Sequence, residues 1–230
     1  MDRPNVDESL LKGDLRDIQR VNRWFGAYRL IRSESEIFFS HWFSTEHKPL
    51  QPCNILDLCT GSGDIPRVIV DWCRKRKITV HITATDFNSR ILTQAKQESE
   101  GYPEITFEVV NALQPPLPDQ SYDWVMCNLA LHHFSTEQAV RILKNMWRIA
   151  RVAILVNDLY RSRIFSGLAK TFIPLLSFNP ILRFDAYLST RRAFTWDEML
   201  RLAFHADIPS PQLRRYFLGR QVLVAQKFIS

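Results

Sequence analysis

Short apolar runs alternate with helical patterns through the middle of this 230-residue chain, and no other feature constrains the fold as strongly. Segments whose apolar residues recur at the 3.6-residue period of an amphipathic helix separate runs with the composition of buried strands. Strands alternating with helices form βαβ units, which build a parallel sheet covered on both faces. We predict strands at residues 54–58, 79–85, 105–110, 122–127 and 152–156, and helices at 64–75, 89–99 and 136–149.

Two further regions flank this alternation. The first fifty residues carry apolar side chains at helical spacing. Near the other end, Thr195 and Glu198 have the spacing of a capping box, which predicts a helix from there to His205. Residues 212–219 and 220–227 then predict two closing strands. The economical interpretation is one α/β domain with a seven-stranded, mostly parallel sheet and a C-terminal antiparallel strand pair.

The junction between the first strand and its helix contains two of the seven glycines of the chain, Gly61 and Gly63. Glycine lets a backbone approach a ligand closely because it has no Cβ atom. The turn lies at the carboxyl end of a strand, where open α/β sheets bind ligands. A bound cofactor is therefore expected.

Two common cofactor classes fit this turn poorly. A nicotinamide or flavin dinucleotide site has a third glycine three residues after the second one, and Pro66 stands there. A P-loop requires a lysine after its last glycine, and none follows Gly63.

The stretch from Asp57 to Asp64 resembles motif I of the class I S-adenosylmethionine-dependent methyltransferases, and its Asp64-Ile65 is similar to the ubiquinone and menaquinone biosynthesis group. The later motifs of that family follow in order. The resemblance implies that Asp86 binds the ribose hydroxyls of S-adenosylmethionine, and that Asn111 stands at the adenine position in place of the usual aspartate. It implies a Rossmann-like class I methyltransferase fold. The implied cofactor residues are Asp57, Cys59, Thr60, Gly61, Ser62, Gly63, Asp86, Phe87, Asn111, Ala112, Asn128 and Leu129.

An alternative explanation of the acidic residues stays open: Asp57 and Asp86 are turn and cap residues of a Rossmann-like protein with another ligand. An acid inside an apolar strand, however, needs a buried partner.

Three residues are candidates for catalysis. His132 and His133 follow the fourth strand, and histidine titrates near neutral pH, which suits a base that deprotonates the acceptor. A histidine in this place also packs or caps the next helix in many proteins. Asp158, after the fifth strand, is the third candidate. No metal is expected, because no His/Cys cluster has ligand spacing.

The resemblance also places a substrate lid at about residues 160–190, within a methyltransferase domain at 51–230, and a helical cap over the active site at 1–50. The apolar segment 164–176 and the residues Trp24, Phe25 and Tyr28 are the expected pocket walls. Apolar walls suit a lipophilic small molecule. Simple packing of both segments on the sheet explains the same hydrophobicity. The flanking Arg161, Arg163 and Arg183 suit an anionic group or transient contact with a membrane surface.

Charge is divided unevenly along the chain. Residues 1–139 carry a net charge of −4 and residues 140–230 carry +10. The amino terminus is polar and acidic, which predicts neither a signal peptide nor a transit peptide. With four cysteines lacking any CxxC pair, we expect free thiols and a cytoplasmic location.

Methyl transfer from S-adenosylmethionine to oxygen or carbon of a phenol, quinone or polyketide-like molecule, in secondary metabolism, is the favoured function. An RNA or protein methyltransferase using the basic C-terminal half is the second hypothesis, although no stable nucleic-acid partner is expected. A non-catalytic cofactor-binding interaction protein is the third. The oligomeric state stays open.

Overall fold

A computed structural model of the chain describes residues 8–44, 52–162, 167, 187–216 and 219–227. Most of the predicted lid at about 160–190 lies outside these described residues. The same holds for the apolar segment 164–176 apart from residue 167, and for the predicted roles of Arg163 and Arg183.

A single seven-stranded sheet forms the centre of the molecule, with the strand order β3-β2-β1-β4-β5-β7-β6. The first five strands are parallel, whereas β7 is antiparallel to both β5 and β6. This confirms the predicted fold class, including the C-terminal antiparallel pair. The strands are β1 (Cys53–Leu58), β2 (Val80–Asp86), β3 (Ile105–Val109), β4 (Tyr122–Asn128), β5 (Ala150–Leu159), β6 (Gln212–Tyr216) and β7 (Arg220–Gln226).

The helices between the strands begin and end close to the predicted residues. The capping box of Thr195 and Glu198 is present, and Ser135 and Gln138 form a second one. A 3-10 turn, Leu131–His133, follows β4, and residues 187–192 are helical. The helices are α1 (Glu8–Trp24), α2 (Ala27–Ser44), α3 (Asp64–Arg76), α4 (Ser89–Glu98), α5 (Thr136–Ile149) and α6 (Trp196–His205).

The amino-terminal helix α2 packs into the same hydrophobic core as the sheet. Phe38 stacks on Trp124 of β4 with ring centroids 4.3 Å apart, and Phe39 stacks on Trp72 of α3 at 5.5 Å. Offset aromatic pairs of this kind add to the free energy of burying the rings. Whether residues 1–50 act as a cap over the active site stays a prediction.

Several arginines of the basic C-terminal part form ion pairs with acidic residues of the first 139. Arg151 pairs with Asp123 at 2.9 Å, and Arg214 pairs with Glu34 at 2.7 Å. Arg148 pairs with Asp119. Part of the uneven charge distribution along the sequence is therefore compensated when the two parts pack together.

Neither a membrane-spanning helix nor a metal cluster occurs in the part of the chain that the structure describes. Every helix there is too short or too polar to cross a membrane. No three His, Cys, Asp or Glu side chains in the same ranges are grouped so that they could hold a metal ion.

Candidate active site

The candidate site lies at the edge of the sheet where the parallel strands β1, β2, β4 and β5 end. The chain runs outward in one direction through β2 and β3, and in the other through β4 and β5, so the strand order reverses between β1 and β4. Open α/β sheets bind ligands outside the carboxyl ends of the strands at such a reversal. The polar residues that the sequence singled out lie along this edge.

The glycine turn after β1 uses left-handed backbone at three alternate positions. Cys59, Gly61 and Gly63 have φ angles of 60°, 56° and 68°. A Cβ atom on Gly61 would have no heavy atom within 4 Å, so this residue faces open space. A Cβ atom on Gly63 would lie 3.2 Å from Cε1 of Phe107 in β3. Gly61 therefore leaves room for a ligand, whereas Gly63 allows close packing.

A line of buried polar side chains crosses the ends of β1, β4 and β5. Asn157 donates through Nδ2 to Oδ1 of Asn128 at 3.2 Å, and Asn128 donates through Nδ2 to Oδ1 of Asp57 at 3.0 Å. The other carboxyl oxygen of Asp57, Oδ2, is buried and has no hydrogen-bond partner. Burial raises the pKa of Asp57 to about 7, and the side chains of Thr60 and Asn128 oppose that rise. A ligand that donates a hydrogen bond or carries positive charge fits this oxygen.

The second acid, Asp86, is held at the end of β2 by backbone donors. The N–H of Gly61 donates to Oδ2 at 3.1 Å and the N–H of Asn88 donates to Oδ1 at 3.0 Å. A carboxylate oxygen accepts more than one hydrogen bond, so these contacts orient the group and leave it able to bind a ribose diol. The adjacent Phe87 side chain is 58% exposed. This pairing of a carboxylate and an exposed ring fits an adenosine.

The remaining predicted cofactor residues lie beside these two acids. Thr60 is buried and its N–H donates to the carbonyl of Thr85, while the Ser62 hydroxyl donates to Asp64. Asn111 forms a local turn, in which its side-chain oxygen accepts the N–H of Leu113 at 2.9 Å. Ala112 is buried, and Leu129 has a left-handed φ of 53°. The structure thus brings the twelve predicted positions to one edge, and their individual roles stay predictions.

His132 and Asp158 form a buried pair where β4 and β5 end. Nδ1 of His132 lies 2.5 Å from Oδ1 of Asp158, and the backbone N–H of His132 donates to Oδ2 at 2.9 Å. His132 is 4% exposed and Asp158 is fully buried. When Nδ1 carries the proton that Asp158 accepts, Nε2 is the basic nitrogen. The arrangement is that of a general base oriented by a carboxylate.

The third catalytic candidate, His133, has different surroundings. Its side chain is exposed, and its ring centroid lies 4.2 Å from that of His132. The two adjacent histidines, which the sequence does not distinguish, therefore differ in burial: His132 is buried and His133 is exposed.

A cavity of about 580 Å³ opens beside the two histidines. Its described lining is mostly polar and charged. The lining includes Arg161, Arg192, Glu198, Arg201 and His205. Arg161 forms an ion pair with Glu198. The apolar segment predicted to line the pocket lies outside the described residues.

The contacts of Asp64 and the burial of Arg220 were not anticipated from the sequence. Asp64, at the start of α3, accepts hydrogen bonds at Oδ2 from Nδ2 of Asn22 at 2.9 Å and from the Tyr28 hydroxyl at 3.0 Å. Arg220, the first residue of β7, is buried at the same edge. The bonds to Asp64 join residues 42 and 36 positions apart, and a bond from Nε of Arg220 to the carbonyl of Phe25 joins residues 195 positions apart. One indication of the second feature is present in the sequence: Arg220 begins a strand that is otherwise mostly apolar.

The sequence comparisons match the central part of the chain to a known protein family. Residues 55–152 match the family model described as a methyltransferase domain. The ubiquinone/menaquinone biosynthesis C-methyltransferase of Rickettsia bellii (strain OSU 85-389) is 28% identical over 136 residues, which are 56% of this chain and 52% of the relative. The chain thus spans about half the length of the curated relatives it matches. The predicted resemblance to this group is confirmed.

Solved methyltransferase structures share the fold. A SAM-dependent methyltransferase from Aquifex aeolicus has a TM-score of 0.59 at 14% identity, covering 96% of this chain and 99% of its own. Magnesium protoporphyrin IX methyltransferase from Synechocystis PCC 6803, solved with bound SAH, has a TM-score of 0.61 at 15% identity and covers 91% and 86%. These likenesses confirm the class I methyltransferase fold.

Proposed function

We propose that this class I methyltransferase, similar to the ubiquinone and menaquinone C-methyltransferases, transfers a methyl group from S-adenosylmethionine to oxygen or carbon of a lipophilic phenol or quinone-like molecule. The buried pair of His132 and Asp158 carries the proposal. The pair lies at the edge of the sheet that also holds the glycine turn. The proposed base follows β4 and the glycine turn follows β1, and these two strands are neighbours in the sheet. Such a pair suits an acceptor that must lose a proton.

The cofactor of the methyltransferase domain is S-adenosylmethionine, and the residues of this chain fit it. Asp86 would hold the ribose, and Phe87 would lie against the adenine ring. Gly61 leaves the space that the ligand needs, and the unpartnered Oδ2 of Asp57 provides an acceptor for a hydrogen-bond donor. When bound, the cofactor supplies an electrophilic methyl group on a sulfonium.

The chain's own residues handle the proton of the acceptor. Nε2 of His132 would take the proton from a phenol oxygen or an acidic carbon. That atom would keep the electron pair needed to form the bond to the methyl group, while the bond between the methyl carbon and sulfur breaks and a neutral thioether leaves. Asp158 holds the imidazole through Nδ1 and stabilises the positive charge that the ring acquires. The burial of both side chains keeps water away from the pair and strengthens their interaction.

Two observations support a lipophilic acceptor. The curated relatives are named for ubiquinone and menaquinone biosynthesis, and those quinones have apolar tails. In addition, Trp24 at the end of α1 is 69% exposed, next to the half-buried Phe25. Both residues belong to the pocket wall predicted from the sequence, and an exposed indole offers apolar surface to a ligand.

The second hypothesis, an RNA or protein methyltransferase, rests on the +10 charge of residues 140–230. The ion pairs of Arg148, Arg151 and Arg214 with acids of the first 139 residues reduce the net charge available to a polyanion. This compensation favours the small-molecule proposal. The non-catalytic hypothesis has no feature that favours it over an enzyme with a buried histidine–aspartate pair.

Two experiments together test the proposal. Isothermal titration with S-adenosylmethionine and S-adenosylhomocysteine should show binding of one molecule per chain. Metabolites extracted from cells with and without the gene should then differ by one methyl group on an apolar compound. Absence of cofactor binding would contradict any methyltransferase function, whereas binding with methyl transfer only to RNA or protein would contradict the acceptor class.

A further inference from the structure

Arg220 is the only arginine or lysine with a buried side chain among the residues that the structure describes. It begins β7 and lies opposite Leu159, the last residue of β5, so it stands at the edge of the sheet that forms the active site. Its exposed fraction is 3%. A cation is rarely buried in a protein interior unless another group compensates its charge.

The hydrogen bonds of Arg220 leave part of its guanidinium without a partner. Nε donates to the backbone carbonyl of Phe25, at the corner between α1 and α2, at 3.0 Å. Nη1 is buried and has no hydrogen-bond partner. No carboxylate of the described residues forms an ion pair with it. A guanidinium has five N–H donors, and leaving a buried charged donor unpaired is costly.

The position of Arg220 follows from its neighbours. It pairs with Leu159, the residue after Asp158, and it bonds to Phe25 in the corner between α1 and α2, where Tyr28 bonds to Asp64. Asp158 is the partner of His132, and Asp64 begins the helix that follows the glycine turn. Burial lowers the pKa of Arg220 to about 10, and Asp158 and Asp64 oppose that shift, so the group stays cationic at neutral pH. Arg220 therefore lies beside the carboxylate that orients His132, at the edge of the sheet where methyl transfer would occur.

We propose that Arg220 binds an anionic oxygen of a ligand in the methyl-transfer site, either the carboxylate of the methionine part of the cofactor or the phenolate oxygen of the acceptor. The inference rests on the proposed function, and it assigns the unpartnered Nη1 donor a ligand. A phenolate beside a guanidinium is stabilised by the adjacent charge, so Arg220 would assist the deprotonation by His132.

Arg220→Met and Arg220→Lys, with Arg141→Met on the exposed face of α5 as the matched control, test the inference. Arg220→Met removes the cation. Arg220→Lys keeps the charge but removes the planar guanidinium group and its Nε donor. Thermal unfolding of each variant without ligand shows whether the fold and the contact with Phe25 survive. Titration calorimetry then compares S-adenosylhomocysteine with methylthioadenosine, which lacks the amino-acid carboxylate.

The two sources of the oxygen give different results. If the cofactor carboxylate is the ligand, Arg220→Met weakens S-adenosylhomocysteine binding about tenfold to a hundredfold and spares methylthioadenosine, as expected for a lost charge-assisted hydrogen bond. If the acceptor oxygen is the ligand, both nucleosides bind normally. In that case 4-nitrophenol, added with S-adenosylhomocysteine, ionises at a lower pH in the wild-type site than in the variant. Arg220→Lys should give a smaller change of the same kind.

Two results would overturn the inference. One is equal weakening of both nucleosides, which would mean that Arg220 only supports the fold. The other is an Arg220→Met protein that behaves as Arg141→Met does in the titrations with S-adenosylhomocysteine, with methylthioadenosine and with 4-nitrophenol. Failure of the wild-type protein to bind S-adenosylhomocysteine would instead overturn the proposed function, and this inference with it.

Discussion

At the scale of single residues, the active site depends on a few side chains whose surroundings differ from those of ordinary surface groups. Asp57 is a fully buried carboxyl with one unpartnered oxygen, and His132 is a buried imidazole on a carboxylate. The sequence predicted Asp57, inside the first strand, from the family resemblance, and His132 from its position after the fourth strand. It could not predict their hydrogen-bond partners, because Asn128 and Asp158 lie far from Asp57 and His132 along the chain.

His132 is expected to be essential for turnover and His133 is not. His132→Ala removes the oriented base, so turnover should fall about 10²- to 10⁴-fold while S-adenosylmethionine still binds. Asp158→Asn should lower turnover too, because the amide cannot stabilise the charged ring. His133→Ala, the exposed neighbour, is the control and should retain most activity. Equal losses in the two histidine variants would contradict the assignment.

The two glycines of the turn should respond differently to the same substitution. Both have positive φ, so an alanine at either position costs about 1–2 kcal/mol of backbone strain. Gly63→Ala adds a clash with Phe107 and should destabilise the protein more in urea unfolding. Gly61→Ala places its methyl group in the ligand space, so titration calorimetry should show the larger loss of S-adenosylmethionine affinity. Normal cofactor binding by Gly61→Ala would contradict the placement of the cofactor against the glycine turn.

Asp57 should make stability fall as pH rises. Its folded pKa of about 7 is above the unfolded value of about 3.9, so the folded protein retains a proton that the unfolded chain has lost. The free energy of unfolding should therefore decrease by up to ~1.4 kcal/mol per pH unit between about pH 4 and 7, and level off above that. Below about pH 4 the Asp57 carboxyl is protonated in both states, so its stabilising contribution to the free energy of unfolding is complete there.

Urea unfolding of the cofactor-free protein across this range measures the effect. Asp57→Asn carries no titrating group there and should show a flatter pH profile, because the remaining groups are unchanged. Identical slopes in the two proteins would mean that Asp57 titrates in its ordinary range.

At the scale of elements, periodicity predicted which segments are helices and strands, and tertiary contacts decided their ends. The strand predicted at residues 152–156 runs from Ala150 to Leu159. Its ladder with β7 pairs it from Ala153 to Leu159, so a strand that is distant in sequence supplies the hydrogen bonds that extend it. α5 ends at Ile149 and β5 follows with no intervening turn.

A buried carboxylate attaches the amino-terminal helix α2 to the closing strand pair. Glu34 accepts hydrogen bonds from Arg214 at 2.7 Å and from the Tyr216 hydroxyl at 2.5 Å. Burial, together with Glu34, raises the pKa of Tyr216 to about 12, so the phenol stays a donor at physiological pH. Glu34→Ala leaves both partners without their acceptor and should lower the free energy of unfolding by about 2–4 kcal/mol.

Glu36→Ala, two residues further on the same helix, is the control. Glu36 is exposed and pairs with the exposed Arg76, and pairs of this kind contribute about 0–1 kcal/mol. Chemical denaturation of both variants measures the difference. If Glu34→Ala were no more destabilising than Glu36→Ala, the attachment of α2 would rest on its aromatic contacts alone.

At the scale of the whole molecule, the charge distribution along the chain is a poor guide to the partner. Acids of the first 139 residues and arginines of the last part lie next to each other in the fold. We therefore expect weak binding to single-stranded RNA at low salt and none at physiological salt, in a fluorescence anisotropy titration. Tight binding that falls steeply with added salt would reveal phosphate contacts and favour the RNA hypothesis.

The sequence by itself determined the α/β class, the order of the elements and the edge of the sheet at which the site residues lie. Alternation and periodicity are local patterns, and parallel strands bring their carboxyl ends to one edge whatever the details. Only the tertiary structure decided that His132 rather than His133 meets Asp158, that Asn22 and Tyr28 bond to Asp64, and that Arg220 is buried at the edge of the sheet that holds the site. These outcomes depend on contacts between distant segments, and no spacing along the chain encodes a distance between side chains that far apart.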